Sequence, residues 1–418
     1  MNSKCYCIGW PLMVGLAASL FALPSFAAPL TLYEALRLAE NNAPSLQAQN
    51  AKIQAASSAA IPAGELPDPQ LVLGVQNFPI GGPTRGSIDD DFMTMRTVGL
   101  KQEMPNSYKR KARIEIADAA VVKAAAEQRI ERLNVRLSTA MAWIKSYSIE
   151  RKDMLFREFY KENRLLRDTV QAQIANGRSQ PADAVTAKQE AAQLEEQQDE
   201  LVRQRAQARA SLQRWVGPSA DNEPAGSLPN WPIDASGYFH QLPQHPRLAA
   251  FESMTRVAQG KLREAESEKH SDWSWEFDYQ HRAREFGDMV SVQFTFDLPL
   301  FPGSRQNPKI ASKYAELNQI EAERETVLRE HHQELEDDLA DYQRHSRAVE
   351  RSKDTLLPLA KKKVELSMAS YRAGKGDLGS VVTARREFIE ARLKQIDVEE
   401  QRALVTARLY LTYGESAQ

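Results

Sequence analysis

The pair His331-His332, followed by Gln333-Glu334, is the stretch that most nearly offers metal-ligating or hydrolytic chemistry. Zinc-protease chemistry needs two histidines four residues apart with a glutamate between them, and this stretch fails that spacing. His331 falls on an apolar seam between Leu328 and Leu335, so it is read as a structural histidine. Met93 and Met95 share one strand parity and could offer soft copper ligands; two methionines so placed are read as packing. Asp89-Asp90-Asp91 could hold calcium at an outer mouth, but an acidic run in a loop is first a solvated surface. No phosphate loop, catalytic triad or paired-carboxylate site stands out, and scattered Ser, His and Asp cannot be assembled from spacing. The expectation is no enzyme, no bound metal and no cofactor.

Composition narrows the classes further. Lys4, the apolar run from Ile8 to Leu23 and the small residues of Ser25-Phe26-Ala27 read as a secretory signal over residues 1–27. Both cysteines, Cys5 and Cys7, lie inside it, so the remaining chain has no disulfide, thiolate metal site or cysteine nucleophile. That chain carries 53 basic residues (54 less Lys4) against 56 acidic ones, which gives no basic footprint for nucleic acid. Aromatics are only 8%, while Ala, Gln, Glu, Arg and Lys dominate long tracts. Such composition describes extended helices with narrow apolar seams.

The elements that would position any site follow from periodicity. Trp273-Ser274-Trp275-Glu276-Phe277-Asp278-Tyr279-Gln280 and Val290-Ser291-Val292-Gln293-Phe294-Thr295-Phe296-Asp297 alternate strictly between apolar and polar residues. Each is therefore a strand with one greasy and one wet side, and each is near the length of a tilted transmembrane strand. Leu71, Leu73 and Val75 mark a strand in an earlier hairpin over residues 66–104, whose second strand is less regular because Arg96 and Val98 share a parity. Residues 109–176 hold neither proline nor glycine, and Ile130, Leu133, Leu137, Met141, Ile144 and Tyr147 recur at helical spacing. At ~1.5 Å per residue this is a rod of roughly 100 Å.

The programme then repeats. Residues 28–216 form a first unit of short helix, hairpin, long helix, the turn from Gly177 to Gln180, and a helix over 181–215. Residues 217–237 are a linker, the expected equatorial region. Residues 238–418 form a second unit, with a helix over about 240–268, a hairpin over 272–299, a long helix over 305–373 bent at Pro358, and a helix over 378–412. Val185-Thr186-Ala187 and Val382-Thr383-Ala384 follow Gly177 and Gly374 at equal distance, which marks the duplication. Two short helices together match one rod, so they should stack end to end beside it.

Four strands are too few to enclose a lumen, and unpaired backbone in lipid costs several kcal/mol per group. Copies of the chain should therefore complete the sheet, giving 8, 12 or 16 strands. Glu276, Asp278, Gln280, Gln293 and Asp297 would line a wet bore, and Trp273, Trp275, Phe277, Tyr279, Phe294 and Phe296 would face lipid.

The stretches Leu30-Thr31-Leu32-Tyr33-Glu34-Ala35-Leu36, Asn42-Ala43-Pro44-Ser45-Leu46, Gln102-Glu103-Met104-Pro105 and Tyr371-Arg372-Ala373-Gly374 resemble the TolC family of outer-membrane channels over almost the whole chain. The resemblance implies a mainly α protein with a membrane β-barrel portion: a homotrimer with a 12-stranded barrel in the outer membrane and an α-helical periplasmic tunnel. It implies a passive duct working with a periplasmic adaptor and an inner-membrane RND-type pump. The Tyr371-to-Leu378 wording is similar to the heavy-metal branch (CzcC- and CusC-like), so heavy-metal cations are the expected cargo. Drug efflux or type I secretion through the same architecture is one alternative, and a soluble periplasmic coiled-coil adaptor another. In the family the far turns gate the pore and meet the adaptor, with an acid six residues after the turn glycine. Asp183 keeps that place, whereas Ser380 replaces it in the second unit and Asp377 stands nearby. Asp183, Asp377, Arg178 and Lys375 are therefore the gate candidates, and Gly177, Ser179, Gly374, Gly376 and Leu378 the docking candidates. Solvated turn charges favoured by the helix dipole are the simpler reading.

Overall fold

The computed structural model describes residues 29–177, 180–283 and 285–414. The signal read over residues 1–27 lies outside them. Thr31 opens α1 (Leu32–Asn42) by accepting a hydrogen bond from the Glu34 amide on Oγ1. Pro44 then starts α2 (Pro44–Ala60), where its missing N–H costs nothing. After a 3₁₀ turn at Ile61–Gly64 come β1 (Gln70–Gln76) and β2 (Met95–Met104). The unbroken α3 (Ser107–Ala175) has 69 residues, about 100 Å of rod, and α4 (Pro181–Val216) returns along it.

The second unit runs α5 (Ala235–Gln241), α6 (Pro246–Ser267), β3 (Trp273–His281), β4 (Met289–Phe296), α7 (Gln306–Arg351), α8 (Leu357–Arg372) and α9 (Leu378–Leu409). One helix was expected over about 240–268. Leu242–Gln244 instead forms a 3₁₀ turn, and a new helix starts at Pro246 with His245 in the cap position, where Ala43 stands before Pro44. The expected surface linker is tied down: Leu30 bridges Pro224, Ala220 is buried, and Trp231 stacks on Tyr410 at 4.7 Å. The second rod is interrupted just before Pro358 by a π-turn at Ser352–Leu356. Proline cannot donate to the preceding turn, and the wider π-turn absorbs the mismatch.

Stacking of short helices beside the rods is as expected. α1 and α2 lie along α3, with α4 continuing their line, while α6 touches both α3 and α7 and α9 touches α3, α7 and α8. The core at their meeting joins Leu36 and Ala39 of α1, Val135, Trp143 and Ile144 of α3, Leu212 and Val216 of α4, and Ala403 and Ala407 of α9. The Trp143 indole donates to the Leu30 carbonyl at 2.8 Å, so its polar atom is satisfied inside. Of the six seam residues read in the first rod only Ile144 is buried. Val135, Thr139, Ala142 and Trp143 lie deeper, because α3 has helices on both flanks and buries a wider face than a two-stranded seam.

The duplication is visible in packing. The buried positions Val135, Thr139, Ala142, Ile149 and Asp153 of α3 recur at identical spacing as His331, Leu335, Asp338, His345 and Val349 of α7. Ala208, Leu212 and Val216 recur likewise as Val405, Leu409 and Tyr413.

Candidate functional site

The four strands form one antiparallel sheet in the order β1-β2-β3-β4, leaving β1 and β4 as its edges. Register sorts the side chains. Leu73 faces Val98, Val98 faces Tyr279 and Tyr279 faces Val290; Leu71, Leu100, Phe277 and Val292 form a second row, and Trp275 with Phe294 and Trp273 with Phe296 close the series. All six residues expected to face lipid share this apolar side, joined by the first hairpin's Leu71, Leu73, Val98 and Leu100. The irregular parity of β2 has a simple cause: Arg96 belongs to the apolar side but sits at its end, where it pairs with Asp89.

The opposite side carries Lys101 beside Glu276, Glu276 beside Gln293, and Gly99 beside Asp278. Asp278, expected on an open bore, is 7% exposed and leans over Gly99: a Cβ there would sit 1.9 Å from its Oδ1. The missing side chain of Gly99 makes the space. Asp297 lies beyond β4, where its amide donates to the Asp272 carbonyl at 2.8 Å, so it marks the sheet's exit. At that exit Asn106 donates from both its backbone and side-chain nitrogens to Asp272 Oδ1 at 2.8 Å, and Lys109 pairs with the other oxygen. This cluster welds the start of α3 to the start of β3.

At the far end of the rods, Gly177 and Gly374 adopt φ of +69° and +68°, the left-handed conformation that ends a helix. Arg178 and Ser179 lie outside the described residues. Asp183 accepts from the Gln180 amide at 3.0 Å, completing a capping box. Asp377 caps α9, taking the Ser380 amide on Oδ1 at 2.8 Å and its hydroxyl on Oδ2 at 2.9 Å; these bonds hold its carboxyl below the usual range. Among the described residues neither acid pairs with Lys375, whose amide donates to Ser370. Leu378, read as a docking residue, is buried with Leu166, Val170 and Val381, because the first turn of α9 aims it at the rod. Gly376 packs against Ser370.

Two features near this end have no signature in spacing. Tyr371 donates to Gln173 Oε1 at 2.8 Å, tying α8 to α3. Higher up, Glu190 is buried, accepts from Asn163 at 2.8 Å and lies 4.0 Å from Arg385, which also meets Glu162 at 3.2 Å. Burial pushes the Glu190 carboxyl up despite these partners. Both links join residues far apart in the chain, and no local pattern announces them. Among the described residues no helix is long and apolar enough to cross a membrane, and no group of three or more His, Cys, Asp or Glu is placed to hold a metal.

Solved structures share this arrangement. A membrane protein from Pseudomonas aeruginosa matches with a TM-score of 0.79 and 18% identity, over 91% of this chain and 90% of its own. The outer membrane protein VceC from Vibrio cholerae matches at 0.76 and 17%, over 92% and 96%. CusC matches at 0.76 and 16%, over 91% of both chains. No curated protein matches by sequence. The family model described as outer membrane efflux protein matches residues 35–218 and 274–415, which take in both hairpins and the long helices that follow each. With that match spanning most of its length, the chain belongs to the outer membrane efflux protein family.

Proposed function

We propose that three copies of this chain form a passive outer-membrane duct, with twelve strands in the membrane and a helical tunnel in the periplasm. The observation that carries this is an inequality between the repeats. Within one chain α6 packs along both α3 and α7, whereas among the described residues its counterpart α2 packs closely along α3 alone of the rods. α7 accordingly buries few side chains and α8 none. A neighbour's second rod against α2 and α4 repeats the internal contact, and the same rotation pairs the open edge of β4 with β1 of the next copy. Val185 and Val202 on α4 and Leu359 and Leu366 on α8, all largely exposed, are then interface residues. The aromatic side of the sheet meets lipid, and Glu276 and Gln293 line the bore.

The duct receives cargo from an inner-membrane RND-type pump through a periplasmic adaptor. Asp183, Asp377 and Lys375 narrow its far end, and the turns at Gly177 and Gly374 meet the adaptor. The turn wording Tyr371-Arg372-Ala373-Gly374-Lys375-Gly376-Asp377-Leu378 supports heavy-metal cations as cargo. The soluble-adaptor alternative loses its ground, since the chain belongs to the outer membrane efflux protein family. Mass measurement in detergent tests the assembly, and a monomer overturns it. A deletion strain that accumulates copper, silver or zinc no faster than its parent overturns the metal reading while leaving the duct intact.

A further inference from the structure

His245, His331 and Tyr413 meet where α6, α7 and the end of the chain converge. The two imidazole centroids are 4.3 Å apart, and Tyr413 stands 5.9 Å and 6.4 Å from them. All three are nearly fully buried. His245 Nδ1 accepts from the Arg247 amide, while its Nε2 and both nitrogens of His331 have no hydrogen-bond partner. Glu334 comes within 3.1 Å of His331 Nδ1, close enough to pair with that ring once it is charged. A cavity of about 450 Å³ adjoins them, lined also by Asp337, Asp338 and Arg408. The duplication supplies an internal control. The equivalent positions in the first repeat are Ala43, Val135 and Val216, three apolar residues of the central core. This position therefore packs well without polar atoms, and only the second repeat has titratable ones. All seven histidines lie in the second repeat.

We propose that the His245–His331 pair is an acid-sensitive latch that holds α6 and the chain's last turn against the second rod while both rings are neutral. With no third donor placed for a metal among the described residues, proton uptake is the chemistry left to the pair. Two imidazolium ions at this separation repel each other and face the Arg247 cation. The Arg408 charge is already taken up by Asp338 at 2.5 Å; Glu334 and Glu330 favour the charged form of His331, and neither acts on His245. Burial, the neighbouring ring and Arg247 bring His245 down to about 3; burial also lowers His331. The packed form is favoured fully above about pH 6.5, and its advantage falls about tenfold per pH unit for each proton taken up on release. The inference concerns the wall of the duct and stands whatever the cargo.

Amide hydrogen exchange of the full chain in detergent at pH 7.5 and 5.0, corrected for intrinsic rates, tests it. In the wild type, protection of segments 242–251 and 405–413 falls by at least tenfold at pH 5.0, while segments 40–49 and 208–216 of the first repeat are unaffected. The variant His245→Ala/His331→Val, which copies the first repeat, loses the response, and His332→Ala keeps it. Should the double variant fold poorly, His245→Ala alone at least halves the logarithmic response. Equal protection at both pH values, equal loss in both repeats, or a full response in either latch variant overturns the proposal.

Discussion

Tyr371 and Gln173 stand at the ends of the two rods, and the tyrosine hydroxyl reaches the glutamine oxygen at 2.8 Å. Removing that hydroxyl leaves the ring in place and loosens one helical pair from the other. Tyr371→Phe should cost about 1 kcal/mol of stability per chain and leave assembly unchanged. Single-channel recordings in planar bilayers should show higher open probability than in the wild type.

Asp183 and Asp377 hold helix starts, so alanine variants would confuse a lost cap with a lost charge. Asparagine separates the two, because as the N-cap at 377 it serves about as well as aspartate, at 183 it keeps an oxygen for the Gln180 amide, and it carries no charge at either. Asp377→Asn should keep the helix content of the wild type by circular dichroism. Combined with Asp183→Asn it should raise conductance if the charges narrow the pore, whereas unchanged conductance would leave both acids as caps alone.

Glu190 holds its proton to higher pH when folded than when unfolded, since burial outweighs Arg385 and Asn163. The folded state is thus favoured as pH falls through the raised value, and keeping the carboxylate ionised at neutral pH costs stability. Glu190→Gln keeps an acceptor for Asn163, and Arg385 retains Glu162. The variant should melt above the wild type at pH 7.5, with the gap closing below the ordinary glutamate value of 4.5.

Asp272 shows the opposite sign. The Asn106 amides and Lys109 hold its carboxyl below 3.8 despite burial, so its contribution is complete above that value and fades as pH falls through the lowered one. Asp272→Ala orphans those donors and should cost about 3 kcal/mol, read as a lower melting temperature at pH 7.5. The gap between variant and wild type should narrow as the pH falls below 3.8.

The fold was legible because its signals are periodic. Alternation in Trp273–Asp278 leaves one possible face for each side chain, and the apolar partners in the first hairpin fall into the same rows. Gly177, Pro181, Gly374 and Pro44 punctuate helices for reasons of backbone geometry alone. Of the site, the turns and polar strand face were legible as positions, but their surroundings were not. Leu378 is buried because its turn points inward, and Asp278 because Gly99 makes room on another strand. The couplings Tyr371–Gln173, Glu190–Asn163 and His245–His331 are products of packing between distant segments, and spacing carries no trace of them.

The two helix starts at the far end are closed by different means, one by a glutamine–aspartate box and the other by a single aspartate on a serine. In the duct proposed above, copies of the chain would set these two kinds of helix start alternately around one rim, as a crown with teeth of two shapes. A helical ligand fitted to one kind of tooth meets a different pattern of free amides and carboxylates on the next. Identical molecules seated around such a crown would therefore meet two kinds of seat and fill them with unequal affinity.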